Sequence, residues 1–379
     1  MAALKNVLVT GAAGFIGKNL ILALSRCPDV EVIGADVDSP ATELERAFGK
    51  CDVVFHLAGI NRPETEKEFE EGNVGSLATV LNGFEQRSRN PFVVLSSSTQ
   101  ALLDNPYGRS KKRAEDALLE YSQRTSTPVR IFRLPGVFGK WCRPDYNSVV
   151  ATFCHNIARD LPIAISDPAR EIEIIHADDV VAAFLTLLKT EVDIHGTPLL
   201  TVEPAFRITL GALAEKLRRF RSIRETLVQP NLSDPFDRRL FGTYLSYLPE
   251  GGFAYELKPS KDARGILTEL LKLDGHGQIF VSRTLPGITR GNHYHDLKTE
   301  KFVVMDGEAV IRFRHMVTGK IIEYPVNGRE IRVVDIPPGW THSIENIGTS
   351  EIIVLFWASE VFDPARPDTF FAKVLNEKT

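Results

Sequence analysis

Cysteine is scarce. Cys27, Cys51, Cys142 and Cys154 are the four in 379 residues, and no two stand at CxxC spacing. They read as reduced, structural thiols of a cytoplasmic protein. Excess charge is also missing: the formal net charge is −4, which suggests no nucleic-acid or polyanion partner. No apolar run approaches the length of a membrane span. Internal repeats and low-complexity tracts are absent. The opening MAALKNVLVTGAAG runs straight into a strand and a glycine-rich loop, so no signal peptide is expected. What remains is an ordinary globular composition, 43% hydrophobic and 25% charged, with length enough for two domains.

The patterning changes along the chain. Short β-rich runs (Asn6–Thr10, Glu31–Ala35, Asp52–Leu57, Phe92–Ser96, Val129–Leu134) alternate with helical stretches (Gly14–Ser25, Ser76–Gln86, Gly108–Tyr121). This alternation predicts an α/β doubly wound, Rossmann-type parallel sheet. Residues 178–189 and 209–220 add amphipathic helices. The Pro-, Gly- and aromatic-rich stretch 229–262 lacks a helical period and reads as a junction. Beyond it, short alternating strands (Gln278–Thr284, Lys301–Met305, Ala309–His315, Ile331–Ile336, Glu351–Ala358) predict an all-β barrel or sandwich. The expected division is a nucleotide-binding domain at 1–245, a linker at 246–262 and a β domain at 263–379.

Thr10-Gly11-Ala12-Ala13-Gly14-Phe15-Ile16-Gly17 follows the first strand and opens the first helix. Glycines there let the backbone approach a pyrophosphate at the helix N-terminus. Asp36 closes the second strand, where an acid accepts from an adenosine ribose 2′-hydroxyl and repels a 2′-phosphate. Tyr107 and Lys111 stand four apart at a helix start and share a face. A neighbouring ammonium favours the phenolate, so Lys111 is expected to tune Tyr107 as a proton donor to a carbonyl. Ser96-Ser97-Ser98 ends the fourth predicted strand just upstream and offers a hydroxyl to the substrate oxygen.

The segments TGAAGFIG (10–17), FHLAG (55–59), LSSS (95–98), PYGRSK (106–111), RLPGVFG (133–139) and HADDVVAAF (176–184) resemble the extended short-chain dehydrogenase/reductases, the family of nucleotide-sugar epimerases and reductases. The resemblance implies a catalytic set of Ser98 (or Ser97), Tyr107 and Lys111. It also implies cofactor contacts at Gly11, Ala13, Gly14, Phe15, Ile16, Gly17, Asp36, Leu57, Ala58, Gly59, Tyr107 and Lys111. Only eight residues separate Ser98 from Tyr107, fewer than is usual for the family.

A second constellation lies in the β-rich half. His293 and His295 alternate on one strand, Glu300 follows, and His342 arrives from a distant strand. This N3O set suits a divalent transition metal, Zn²⁺, Fe²⁺, Ni²⁺ or Mn²⁺. His276 and His315 lack such framing and read as structural. The pattern around the four ligands resembles the two cupin motifs, with Ile331 standing where a glycine is expected.

The whole chain resembles the bifunctional capsular-polysaccharide synthesis enzymes of the CapF type, notably in NRPETEKEF (61–69), FGKWCRPDYNSVVATFCHNIAR (138–159), PGITRGNHYHDLKTEKFVV (286–304) and VVDIPPGWTHSIENIG (333–348). That resemblance implies a UDP-4-keto-6-deoxy-N-acetyl-hexosamine substrate, C3 epimerisation by the cupin, C4 reduction by the reductase domain, NADPH, Zn²⁺ and a homodimer. Asp36 favours NADH instead; Arg46 and Arg62 are the candidates to meet a 2′-phosphate. Tyr294 and Lys298 are candidate bases for the C3 proton, or outward-facing barrel residues. Trp141, Arg143 and Tyr146 lie where the family binds sugar nucleotide. Two alternatives stand: a 3,4-ketoisomerase cupin, and a non-catalytic, metal-stabilised dimerisation cupin.

Overall fold

Strand β1 (Lys5–Thr10) ends in the glycine-rich turn that feeds helix α1 (Phe15–Leu24). The computed structural model of the protein describes residues 4–189 and 197–375. The chain continues through β2 (Val30–Ala35), α2 (Ala41–Lys50), β3 (Val53–His56), α3 (Glu66–Phe69), a π-helical turn at Glu70–Gly75, and α4 (Ser76–Glu85). Next come β4 (Phe92–Ser98), α5 (Pro106–Thr125), β5 (Val129–Leu134), β6 (Gly136–Phe138), α6 (Val149–Ile157), β7 (Glu171–His176), α7 (Ala177–Lys189) and β8 (Leu199–Leu200). The main sheet is parallel with order β2-β1-β3-β4-β5-β8. Strand order reverses between β1 and β3, so a crevice opens beyond their carboxyl ends.

Both faces of this sheet are covered, which explains the near-continuous apolar strands. Leu8 and Val54 face one core with Leu77, Phe84 and Leu118. Val7, Val9 and Phe55 face the other with Leu20, Val180 and Phe184. Each such fully buried large side chain contributes roughly 1.5–3 kcal/mol. A smaller sheet of β6, β7 and β9 (Ala205–Thr209) stands apart from the main one. The chain then forms α8 (Leu210–Thr226), β10 (Val228–Gln229) and α9 (Pro235–Ser246).

Helix α9 corrects the expectation of a helix-free junction at 229–262. Asp234 caps it by accepting from the Asp237 N–H (2.8 Å), and Pro235 opens it. Phe236, Leu240, Tyr244 and Tyr247 are buried at near-helical spacing. Aromatic richness was a buried helical stripe, not a loop signature.

Two compact units divide the chain. One combines residues up to Arg218 with Arg239–Pro249; the other combines Arg219–Arg238 with residues from Glu250 on. The second is all β beyond Gly252. Its strands are β11 (Ser260–Asp262), β12 (Gly265–Leu273), β13 (Gly277–Thr284), β14 (Thr289–Tyr294), β15 (Glu300–Asp306), β16 (Glu308–His315), β17 (Ile321–Asn327), β18 (Val333–Ile336), β19 (Trp340–Asn346), β20 (Ile352–Ala358) and β21 (Phe370–Phe371). They form two sheets, β10-β12-β13-β20-β15-β18 and β17-β16-β19-β14-β21, with Phe302, Ile311, Phe313, Ile344 and Phe356 in one core. Ile331 is exposed just before β18, and nothing about its position demands glycine. Among the described residues, no helix is long and apolar enough to cross a membrane.

Candidate active site and metal centre

The glycine-rich turn is built so that side chains cannot enter it. Gly11 has φ +67°, and a Cβ there would lie 2.7 Å from the Ala58 backbone nitrogen. A Cβ at Gly17 would lie 2.1 Å from the Gly11 carbonyl oxygen. Ala13 and Gly14 are exposed, and Phe15 and Ile16 half-buried, at the opening of α1. This cradle at a helix N-terminus, closed to side chains at Gly11 and Gly17, fits a dinucleotide pyrophosphate. Leu57, Ala58 and Gly59 extend β3 alongside it, with the Ala58 N–H donating to Thr10 Oγ1 (3.4 Å).

Asp36 follows β2 directly. Its Oδ2 accepts from the Ala13 N–H (2.7 Å), which fixes the carboxylate at the rim of the cradle. Arg46 is exposed and paired with Glu31 (2.8 Å), and Arg62 is exposed as well.

The short path from Ser98 to Tyr107 is one turn and one cap. Ser98 accepts from the Gln100 N–H (3.1 Å), starting a 3₁₀ turn over Thr99–Leu102. Asn105 then caps α5 by accepting from the Gly108 N–H (2.8 Å), and Pro106 occupies its first turn. This brings the Tyr107 side chain to Ser98, whose hydroxyl lies close enough to act on the phenol. Ser97 points the other way, its hydroxyl donating to buried Glu115 (2.6 Å). The strand alternation therefore separates the two serines: Ser98 meets Tyr107, and Ser97 does not.

Lys111 is buried and donates to the Ser96 carbonyl (3.0 Å). Burial pushes its amine down to about 8, with Glu115 opposing the shift. Burial also raises the Tyr107 phenol, against the Ser98 hydrogen bond. The expected depression of Tyr107 by Lys111 is not what governs the phenol: desolvation is the larger cause and raises it. A neutral phenol is the form a proton donor requires.

Three supporting residues escaped the sequence reading. Glu115 forms a bidentate pair with Arg133 (2.9 and 2.6 Å). It stands four residues after Lys111, a spacing that could have revealed it. Asn73, in the π-helical turn, holds Ile60 through both backbone groups (3.0 Å each) and donates to Ser110 (2.9 Å). Buried His56 lies 2.9 Å from Thr10, and burial drives its imidazole down to about 3. Trp141, half exposed with φ +70°, carries the Lys140 ammonium 5.3 Å from its ring centroid. The Arg143 guanidinium lies 5.2 Å from the Tyr146 ring centroid.

In the second unit, β14, β15 and β19 bring His293, His295, Glu300 and His342 together, with one donor atom from each all within 4.8 Å of one another. Gly291 permits the approach: φ is +92°, and a Cβ there would lie 2.8 Å from the His342 carbonyl oxygen. His295 Nε2 and His342 Nε2 lie 3.3 and 3.4 Å from Glu300 Oε2, yet neither is satisfied by a hydrogen bond. His295 Nδ1 donates to the Asp368 carbonyl (2.6 Å), leaving Nε2 to present its lone pair. Burial would raise the Glu300 carboxyl, but the His295 and His342 imidazoles prevail and hold it well below the usual range. Burial brings His293 down to about 4. Three imidazoles and an ionised carboxylate gathered in one cluster, with His295 Nε2 and both His342 ring nitrogens buried and unpartnered, fit a divalent transition metal.

The two base candidates part here. Tyr294 packs on Phe370, with ring centroids 5.3 Å apart. Lys298 is buried, donates to Thr369 Oγ1 (2.9 Å), and lies close enough to depress His293. His315 accepts from the Val317 and Thr318 N–H groups (3.2 and 3.1 Å), a structural turn.

Residues 7–198 match the profile of the NAD dependent epimerase/dehydratase family. The chain belongs to this family. Membership makes it an enzyme that takes a nicotinamide cofactor. Residues 260–370 match the polysaccharide biosynthesis C-terminal domain. The chain is 43% identical over 368 residues, 97% of itself and 98% of the relative, to UDP-2-acetamido-2,6-beta-L-arabino-hexul-4-ose reductase of Pseudomonas aeruginosa. It is also similar to the crystal structure of the capsular polysaccharide assembling protein CapF of Staphylococcus aureus. There the TM-score is 0.90 at 44% identity, covering 97% of this chain and 100% of that one. The Rossmann-type family domain followed by a cupin is therefore the architecture of the whole chain.

Proposed function

We propose that the protein is a bifunctional UDP-sugar enzyme of surface-polysaccharide synthesis, with a reductase at 1–245 and a cupin at 263–379. The substrate is a UDP-2-acetamido-2,6-dideoxy-4-hexulose. The cupin inverts C3, and the reductase converts the C4 ketone to an alcohol, giving UDP-N-acetyl-6-deoxy-L-talosamine, a precursor of UDP-N-acetyl-L-fucosamine. The observation that carries the reading is the meeting of Ser98, Tyr107 and buried Lys111 beside a glycine cradle closed to side chains. The full-length similarity to a hexul-4-ose reductase supports the choice of substrate class.

The nicotinamide supplies hydride when bound. Ser98 orients the ketone oxygen, and Tyr107 gives it a proton from its hydroxyl. Lys111, held by Ser96, keeps a positive charge beside the forming tyrosinate. Asp36, with Arg46 engaged by Glu31, favours NADH over the NADPH that the resemblance implies. In the cupin, His293, His295, Glu300 and His342 would hold the metal, zinc by resemblance, which would supply Lewis acidity toward the ketone. Lys298 is the better placed of the two candidates to take the C3 proton, since Tyr294 is packed on Phe370. Epimerisation precedes reduction, because the ketone is what makes the C3 proton acidic. A homodimer and a cytoplasmic location belong to the same proposal.

Exchange in D₂O tests the order. Without nicotinamide, the wild-type protein should exchange the substrate C3 proton. Tyr107→Phe should lose reduction and keep exchange, and His293→Ala should lose exchange. Carbonyl migration detected by NMR would indicate ketoisomerisation instead. A wild-type protein that reduces but never exchanges would leave the cupin non-catalytic.

A further inference from the structure

The last described residues wrap the metal-ligand cluster, and one of them, Asp368, touches it twice. Its backbone carbonyl accepts from His295 Nδ1 (2.6 Å). Its carboxylate accepts from three successive N–H groups, those of Asp296 (2.9 Å), Leu297 (3.0 Å) and Lys298 (2.7 Å). Those three residues belong to the turn between His295 and Glu300. One residue thus fixes the orientation of one ligand and the shape of the turn leading to another.

The rest of the segment continues the pattern. Phe371 pairs with His293 across the β14–β21 ladder. The Ala372 N–H donates to the Asn292 carbonyl (2.9 Å), beside His293. Thr341, the neighbour of His342, donates its hydroxyl to the Ala372 carbonyl. Thr369 accepts from Lys298 (2.9 Å). His293, His295 and His342 each have a chain neighbour, or themselves, held by residues 368–372, and the turn leading to Glu300 is held at Lys298. Asp368 has φ +34°, a conformation uncommon for a non-glycine residue and maintained here by its three hydrogen bonds.

We infer that Asp368 is a positioning residue of the metal centre. By holding the 296–298 turn with its carboxylate, it keeps its own carbonyl on His295 Nδ1. That selects the tautomer whose Nε2 is free to bind metal, and sets the distance between His295 and Glu300. It touches neither substrate nor metal. The inference rests on the reading of His293, His295, Glu300 and His342 as metal ligands.

The test uses the full-length protein, stripped of metal and titrated with Zn²⁺ against a chromophoric chelator, then with Co²⁺ to record its visible spectrum. The wild type should bind one ion, and His342→Ala should lose it. Asp368→Ala should weaken Zn²⁺ binding about tenfold to a hundredfold, the range for supporting partners of metal ligands. The Co²⁺ absorption should shift, because the His295 orientation is no longer fixed. Asp368→Asn keeps one acceptor oxygen and should recover part of the affinity; if Asp368→Ala does not fold, Asp368→Asn decides on the same two readouts. Wild-type affinity and an unshifted spectrum in a folded Asp368 variant overturn the positioning role while leaving the ligands intact. No stoichiometric binding by the wild type, or undiminished binding by His342→Ala, overturns the metal reading and the role of Asp368 with it.

Discussion

Replacing Asp36 by alanine isolates the choice between the two nicotinamide cofactors. The Asp36 carboxylate is anchored by the Ala13 N–H through Oδ2, which leaves Oδ1 to accept from an adenosine ribose hydroxyl. A hydrogen bond to a charged acceptor is worth ~1.5–3 kcal/mol. A 2′-phosphate in the same place would set a negative charge roughly 4 Å from the carboxylate, costing about 1–4 kcal/mol at surface dielectrics. Arg46 does not offset this, since it is paired with Glu31. Taking the lower part of the combined range, about 3 kcal/mol, the wild type should favour NADH over NADPH by roughly 100-fold in kcat/KM. Asp36→Ala should bring that ratio below about tenfold, by losing the hydrogen bond on one side and the repulsion on the other. Initial rates with both cofactors, on wild type and variant, measure it. A wild type that prefers NADPH, or a ratio indifferent to Asp36→Ala, would refute the reasoning.

Three further outcomes are expected. Gly17→Ala places a Cβ against the Gly11 carbonyl and should weaken NADH binding by at least about tenfold in a fluorescence titration, without touching metal affinity. Glu115→Ala strands the Arg133 guanidinium and should destabilise the protein by ~3–5 kcal/mol in urea unfolding. It also removes a charge that raises Lys111, so the alkaline limb of the reduction rate should move to lower pH. The folded-state pKa of His56 lies below its unfolded value, so its stabilising neutral form is lost to protonation of the unfolded chain as pH falls from 6.5 toward about 3. Between pH 6.5 and 4.5, wild type should lose roughly 2 kcal/mol more stability than His56→Gln, read from paired urea melts.

Local chemistry was the legible part. Gly11, Gly14 and Gly17 mark a turn through their own steric requirements, and Tyr107 with Lys111 share one helical face. His293 and His295 sit on one strand, and His342 could be joined to them because Gly, Pro and Asn punctuate both motifs. The helix at Pro235–Ser246 was missed because proline and aromatics were counted as loop signals, whereas Phe236, Leu240 and Tyr244 repeat at helical spacing. Ser97 and Ser98 could not be told apart until the strand register gave one to Glu115 and the other to Tyr107. The titration of Tyr107 was misjudged because sequence supplies the neighbour but not the burial. Asp368 left no trace in any motif, since its contacts depend on three-dimensional return of the chain to His295.

The two centres also differ in how far the chain must travel to make them. Lys111 reaches Ser96 across 15 positions, and Glu115 reaches Ser97 across 18. His295 meets Asp368 only across 73. By loop-closure entropy the longer circuit costs about 1.4 kcal/mol more to bring together. The lysine's hold on Ser96 is therefore the cheaper of the two supports to close, and the Asp368 contact is the one most exposed to any loosening of the chain between Glu300 and the C-terminal strand.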